Sequence, residues 1–327
     1  MGAFCGTERR RVVKIIDEYQ KEIIDPIDFY DVVVSIQSIK DIIKGWNIKI
    51  SQRFKNNYNK FINDPVLKIG IIGNSNKGKS FLLSKLSKIS LPSGTSIKTE
   101  GLSIKYPEVE IYQNRQIALL DSAGLETPVI KTNNESFLKK EQNLDSARLK
   151  TNEIKTNNKI INDKDEKGKK DQNSNIEEEE NNRSELFKEQ SREKIMTELF
   201  LQNYIIHNSD ILIIVVGLLT YSEQKLLNRI KNELKRAKIN KTLYVIHNLM
   251  TYTTIEQVES YIKYTLLQSV TFELEKNLNV NTLIGIQKGV SYYEKNSSPK
   301  IFHLIFANDY SEAGSYYNEY TLSFIEN

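Results

Sequence analysis

The spacing of apolar positions changes along this chain, and each change predicts a different kind of element. Val12, Ile15, Ile16, Tyr19 and Ile23 recur at intervals of three and four, the pattern of an amphipathic helix. Pro26 ends it, and Asp28 can cap a second helix running through Val32, Ile36, Ile39 and Ile43. Gly45 closes that helix and Trp46 opens a third, more polar helical stretch. Residues 1–64 are therefore expected to form a helical amino-terminal extension.

From Pro65 the pattern differs. Val66-Leu67-Lys68-Ile69-Gly70-Ile71-Ile72 is short, apolar and rich in β-branched residues, as a buried strand is. A glycine loop follows, then a helix from about Lys79 carrying Phe81, Leu82, Leu83 and Leu86. Further strands are expected over 102–111, 116–120, 211–216, 242–247 and 301–307. Helices are expected around Ile195, Met196, Leu199, Phe200 and Tyr204, and over 222–238 and 255–274. Strands alternating with helices indicate an α/β fold with a mostly parallel sheet, here six-stranded and flanked by helices, spanning residues 65–327. The last residues, Phe324-Ile325-Glu326-Asn327, fall within a helical pattern, so the natural chain is expected to continue.

Composition changes the picture in one place. Residues 129–189 are dominated by Asn, Lys, Glu and Asp, with four consecutive acids from Glu177 to Glu180. Such a stretch buries too little apolar surface to offset its ordering entropy, so a disordered insertion is expected, with a partner-docking tail as the alternative. Elsewhere the chain is balanced: 46 basic and 42 acidic side chains leave a net charge of +4, which gives no reason to expect nucleic acid as a partner. The single cysteine excludes an intramolecular disulfide and suits a reducing compartment. The longest apolar run, from Ile211 to Leu219, is far shorter than the roughly 20 residues of a membrane-spanning helix. A cytoplasmic protein is expected.

The chemistry is concentrated in the glycine loop. Gly73-Asn74-Ser75-Asn76-Lys77-Gly78-Lys79-Ser80 matches G-x-x-x-x-G-K-[ST] at every fixed position. The glycines let the backbone wrap closely, its amides aimed at phosphate oxygens, and the positive end of the next helix adds to them. Lys79 is expected to reach the β and γ phosphates, and Ser80 to offer its hydroxyl to Mg²⁺. These eight residues and Phe81 are expected around the nucleotide. A plain surface turn is the competing reading; the strand before the loop and the apolar helix after it argue against that.

A second motif follows. Leu119-Leu120-Asp121-Ser122-Ala123-Gly124 ends a strand and fits D-x-x-G. An aspartate there holds the magnesium shell through water, and the glycine amide contacts the γ-phosphate. Between the motifs, Thr99 is the expected further magnesium ligand, with Thr95 the alternative. In order, residues 73–80, Thr99-x-Gly101 and Leu120-Asp121-Ser122-Ala123-Gly124-Leu125 resemble the translation-factor (TRAFAC) class of P-loop GTPases. Within it, T-x-G and L-D-x-x-G-L resemble the guanylate-binding, atlastin and dynamin-like large GTPases. Leu91-Pro92-Ser93-Gly94 and Ser222-Glu223-Gln224-Lys225-Leu226-Leu227 resemble uncharacterised G-domain proteins of protists. The resemblance implies a G domain that binds GTP and GDP with Mg²⁺, hydrolyses GTP to GDP and phosphate, and acts as a switch or assembly GTPase.

Two departures qualify it. Leu125 stands where Ras-like enzymes carry the glutamine that orients the attacking water, so unaided hydrolysis is expected to be slow. Related large GTPases use residues of the phosphate loop instead, often assembled by a G-domain homodimer, which makes Lys77 and Asn76 candidates to stabilise the transferring charge. The guanine motif N/T-K-x-D is also degenerate. His247-Asn248-Leu249-Met250-Thr251 follows the relevant strand, placing Asn248 at the asparagine position and Thr251 where the aspartate belongs. His247 and Asn248 are the nucleotide-site candidates there, strand-end packing being the other reading of His247; Asn308 can supplement them. A nucleotide-gated scaffold with little hydrolysis and an ATP-using P-loop protein therefore stand as alternatives. Finally, Gly2 lies where N-myristoylation requires it, with Cys5 and Arg9-Arg10-Arg11 close by, so acylation and a membrane surface are candidates for this end.

Overall fold

The computed structural model describes residues 25–59, 65–89, 91, 101–107, 116–126, 168–277 and 289–326, with side chains from 184 onward in the helix that begins at Gly168. By its contacts the chain divides into two units, residues 1–127 with 196–327, and residues 128–195. The described part of the second unit is helical.

In chain order the strands are β1 (Val32–Ser35), β2 (Asn47–Ile50), β3 (Val66–Ile72), β4 (Leu102–Lys105), β5 (Gln116–Ser122), β6 (Ile211–Val216), β7 (Leu243–Leu249), β8 (Leu274–Lys276), β9 (Ser291–Glu294) and β10 (Ile301–Ala307). The α-helices are α1 (Gln52–Asn56), α2 (Lys79–Ser87), α3 (Gly168–Asn208), α4 (Tyr221–Arg236), α5 (Ile255–Tyr261), which runs into a π-helical turn Ile262–Leu266, and α6 (Glu312–Glu326). Among the described residues no helix is long and apolar enough to cross a membrane.

Among the described residues one mixed sheet holds ten strands, in the order β2-β1-β4-β5-β3-β6-β7-β10-β9-β8. This corrects the expected six-stranded, mainly parallel sheet. The six expected strands form its centre, and of these β5, β3, β6, β7 and β10 pair parallel while β4 runs antiparallel to β5. Antiparallel pairs extend both margins: β1 and β2 beyond β4, β9 and β8 beyond β10.

The expected helix over Val32, Ile36, Ile39 and Ile43 is therefore corrected too. Val32-Val33-Val34 is a β-branched run whose side chains lose rotamer freedom in a helix and pack well on a pleated surface. It forms β1, with Val33 buried, and the helix-like spacing around it comes from Ile39 and Ile43 of a separate 3₁₀ turn, Ile39–Lys44. Residues 168–189, expected as unstructured chain, lie in α3; their Glu, Lys and Gln are good helix formers. The rest of the charged insertion, 129–167, and residues 1–24 with the expected first helix lie outside the described residues.

The core follows from strand alternation. In β6, Leu212, Ile214 and Val216 face one layer with Leu226, Leu227, Ile230 and Leu234 of α4 and Leu201 and Ile205 of α3. Ile213 and Val215 face the other, with Leu82, Leu83 and Leu86 of α2 and Ile325 of α6. Tyr30 and Val33, from outside the expected domain, belong to this second layer.

Candidate nucleotide site

β3 lies between β5 and β6, all three parallel, and its carboxyl end opens into the 73–78 loop, which is where α/β sheets place their ligands. α2 begins at Lys79 with Gly78 as its cap (φ 82°), and no side chain fills that cap, so the first helical amides remain available to an anion. The positive φ favours glycine, and a Cβ at Gly78 would meet the side-chain amide of Asn248. Asn76, exposed on the loop, also sits in the left-handed region (φ 59°).

Lys79 is buried, 7% exposed, and its Nζ donates to the Asn74 carbonyl at 3.2 Å. Burial pushes its pKa down, while the charge of Asp121 pulls the other way. A phosphate in the loop would supply the counter-charge that this buried ammonium otherwise gets from Asp121. Ser80 Oγ donates to Asp121 Oδ2 at 2.8 Å. Asp121 is fully buried near the end of β5, and its other oxygen, Oδ1, has no hydrogen-bond partner among the described residues. A hydroxyl beside a buried carboxylate with one oxygen to spare is a donor set suited to a hydrated divalent cation. Oδ2 also accepts from Tyr30 OH at 2.7 Å.

The D-x-x-G segment lies directly on the phosphate loop. Ser75 N donates to the Leu125 carbonyl at 2.8 Å, and Leu125 N to the Gly73 carbonyl at 3.3 Å. Leu125 itself is buried, 4% exposed, in the layer that holds α3 and α4. An apolar side chain here anchors the segment in the core, a job that glutamine would do poorly. Gly124 has to be small, because a Cβ would lie 2.5 Å from Ser75 Cα. Next to it, the Glu126 carboxylate accepts from Asn74 Nδ2 at 3.2 Å and from Ser222 Oγ at 3.0 Å, tying loop, D-x-x-G segment and α4 together.

Lys77, the candidate charge stabiliser, is engaged elsewhere: its Nζ stands 3.1 Å from Oε1 of the buried Glu223. Glu223 is also the third residue of a capping box with Thr220 and accepts from Gly217 N at 2.7 Å. Its carboxylate therefore fastens the start of α4 to the phosphate loop. Phe81 packs edge-on against Phe306 at the end of β10, with centroids 6.1 Å apart.

At the base end, Asn248 Nδ2 donates to the Lys77 carbonyl at 2.8 Å, while its buried Oδ1 has no partner among the described residues. His247 is turned into the core. It is fully buried, with Nδ1 2.8 Å from Tyr261 OH and Nε2 3.0 Å from His303 Nδ1, so both ring nitrogens are occupied and the packing role is the one the structure gives it. Thr251 is exposed just past β7. Asn308 joins the ends of β7 and β10 by donating to the Met250 carbonyl at 3.0 Å, and Asp309 beside it pairs with Lys85 of α2.

The structure thus brings together Gly73, Asn74, Ser75, Asn76, Lys77, Gly78, Lys79, Ser80, Asp121, Gly124 and Asn248. Thr99 and its alternative Thr95 lie outside the described residues, as do Gly2 and Cys5. Sequence reasoning missed Tyr30, Glu126 and Glu223. Thr220-x-x-Glu223 carries a legible capping-box signature and Glu126 follows D-x-x-G-L directly, but nothing local marks Tyr30, which is 91 residues from its partner.

The sequence profile described as 50S ribosome-binding GTPase matches residues 68–270, more than half of the chain. A heat shock protein of Dictyostelium discoideum is 23% identical over 90% of this chain, which spans only 38% of that relative's length. The profile begins within β3, encloses the phosphate loop, the D-x-x-G segment and Asn248, and extends past the π-helical turn. A loop built to wrap phosphates, a buried Ser80–Asp121 pair and this match together make the chain a P-loop GTP-binding protein that belongs to the 50S ribosome-binding GTPase family.

Proposed function

We propose that this protein binds GTP with Mg²⁺ and hydrolyses it to GDP and phosphate, using the change at the γ-phosphate as a switch. The observation that carries this reading is the buried contact between Ser80 and Asp121, with Asp121 Oδ1 left over. In this reading Lys79 and the loop amides bind the β and γ phosphates, while Ser80 and Asp121 hold the magnesium shell. A magnesium ion held there would supply charge neutralisation at the phosphates. Gly124 and Leu125 are paired to the loop where the γ-phosphate would lie, so a triphosphate has to displace or reset that pairing, which couples nucleotide state to the D-x-x-G segment. Thr99 would be the further residue to hold the magnesium when triphosphate is bound.

The test is a titration of the purified protein with labelled GTP and ATP in magnesium, alongside Lys79→Ala. The reading expects GTP binding that the substitution abolishes and that ATP does not displace. Preference for ATP would overturn it.

Two observations favour slow chemistry. Leu125 is in the core and cannot orient water, and Lys77 is held by Glu223. A nucleotide-gated scaffold is thus the second reading. Single-turnover rates separate the two: rates that rise with protein concentration indicate a homodimer completing the site, and rates that stay negligible at every concentration indicate the scaffold. Attachment to a membrane through Gly2 and Cys5 belongs to the same proposal and is read by the mass of the native amino terminus.

A further inference from the structure

The amino-terminal strand has a role beyond widening the sheet. Pairing of β1 with β4 puts Val32 opposite Ile104, and Asp31 N donates to the Ile104 carbonyl at 2.9 Å. The Asp31 carboxylate is buried and held by Arg53 Nη1 at 2.9 Å and by Tyr106 N at 2.8 Å. On the other side, Tyr30 N donates to the Pro26 carbonyl at 3.0 Å. Tyr30 is clamped from both directions, and its ring, 1% exposed, packs in the layer with Leu82, Leu83 and Leu119. Its hydroxyl ends 2.7 Å from Asp121 Oδ2.

Asp121 therefore receives two donors, Ser80 Oγ and Tyr30 OH, on one oxygen and none on the other among the described residues. That asymmetry has a consequence. The terminal torsion of an aspartate is broad and nearly two-fold, so a carboxylate held by one donor exchanges its oxygens readily. Two donors converging on Oδ2 resist that rotation and leave Oδ1 presented in one direction. Ser80 can offer an oxygen lone pair to the metal while its proton stays on Oδ2, and Tyr30 adds the second donor that fixes the carboxylate.

We infer that Tyr30 is a positioning residue for the magnesium site: together with Ser80, its hydroxyl holds Asp121 Oδ2 so that Oδ1 is the oxygen left for the water shell of the ion. The inference rests on the magnesium reading of the site given above. It assigns part of that site to a residue outside the 68–270 segment that the family profile covers. Tyr30 touches neither nucleotide nor ion, so it acts through Asp121, as outer-shell partners of metal ligands do; losing such a partner typically weakens metal affinity about 10–100-fold.

The experiment measures release of a fluorescent GDP from the full chain across a magnesium series, for wild type and Tyr30→Phe. Magnesium should slow release in wild type, and the concentration giving half of that effect should rise about 10-fold in Tyr30→Phe. Affinity for GDP in excess chelator should stay unchanged. Val33→Ala, from the same buried layer, is the structural control: its melting temperature should fall and its magnesium midpoint should not move. Replacing Tyr30 with 3-fluorotyrosine keeps the hydroxyl, makes it a stronger donor and should lower the midpoint, which provides a test even if the Phe variant folds poorly. Equal midpoints in wild type, Tyr30→Phe and the fluorinated protein overturn the assignment. Release that ignores magnesium in wild type overturns the magnesium reading itself.

Discussion

The two ends of the nucleotide site are built differently. At the phosphate end, Lys79, Ser80, Asp121, Gly124 and Leu125 interlock through buried hydrogen bonds and close backbone approach. At the base end, Asn248 fastens one carbonyl of the loop, Thr251 stands exposed where an aspartate would select guanine, and His247 has gone into the core. The difference shows where function constrains this chain most. Phosphate and metal chemistry admits few substitutions, because charge has to be neutralised inside a dry site, whereas base selection can rest on backbone groups and shape. It also explains why the phosphate loop is an unambiguous signature while the base motif is degenerate.

The comparison predicts a gradient of effects. Lys79→Ala should be the most severe, since removing one partner of a buried charge pair costs about 3–5 kcal/mol, or about 100-fold or more in GTP affinity by titration. Gly124→Ala comes next. Its Cβ would lie 2.5 Å from Ser75 Cα, so the D-x-x-G segment has to leave the loop. The expected result is a loss of about 1–3 kcal/mol in thermal or denaturant unfolding. A reduced preference for GTP over GDP should accompany it, while an unchanged melting curve and preference would break the coupling argued above.

Asn248→Ala tests the base end. Leaving the Lys77 carbonyl without its donor should cost about 1–2 kcal/mol, about 10-fold in nucleotide affinity. The magnesium midpoint should not move, in contrast to Tyr30→Phe. If it does move, the two ends are not separable and the comparison fails.

The mildest effect concerns the buried histidines behind Asn248. His247 lies between Tyr261 of α5 and His303 of β10; His303 Nε2 is 3.2 Å from Glu294 of β9, which pairs with Lys231 of α4 at 2.5 Å. Burial, with His303 close by, holds the His247 pKa well below its ordinary 6.5. Burial also lowers that of His303, against the pull of Glu294. Both rings are neutral in the fold, so below about pH 6.5 the unfolded chain binds protons that the native state refuses. Stability is complete above that value and falls as the pH drops toward the native pKa values. The melting temperature should therefore decline on acidification from about pH 7 to about pH 5, less steeply in His303→Gln. Equal slopes in both proteins would remove the histidines from the account.

Much of this molecule is legible in its sequence. The six central strands, the loop from Gly73 to Ser80, Asp121 and Gly124 all follow from local pattern. Period, β-branching and glycine spacing are written into neighbouring residues by the same sterics and hydrogen bonding that make a strand, a phosphate loop and a helix start. Asn248 could be placed because it stands near the end of a strand of known kind. The margins of the sheet could not be read. Four-residue strands such as Val32–Ser35 and Ser291–Glu294 are too short for a period to declare itself, and only pairing with β4 and β10 makes them strands. The same holds for side chains whose partners are distant. His247 could have served the nucleotide or the core until the fold set His303 and Tyr261 against its two nitrogens. Tyr30 is an ordinary tyrosine until the antiparallel pairing of residues 32–34 with 102–104 lays β1 beside β4 and carries its hydroxyl to Asp121. Local chemistry announces itself in sequence because the groups that cooperate are neighbours in the chain. Groups brought together across the sheet are chosen by packing, and packing is decided only when the whole domain closes.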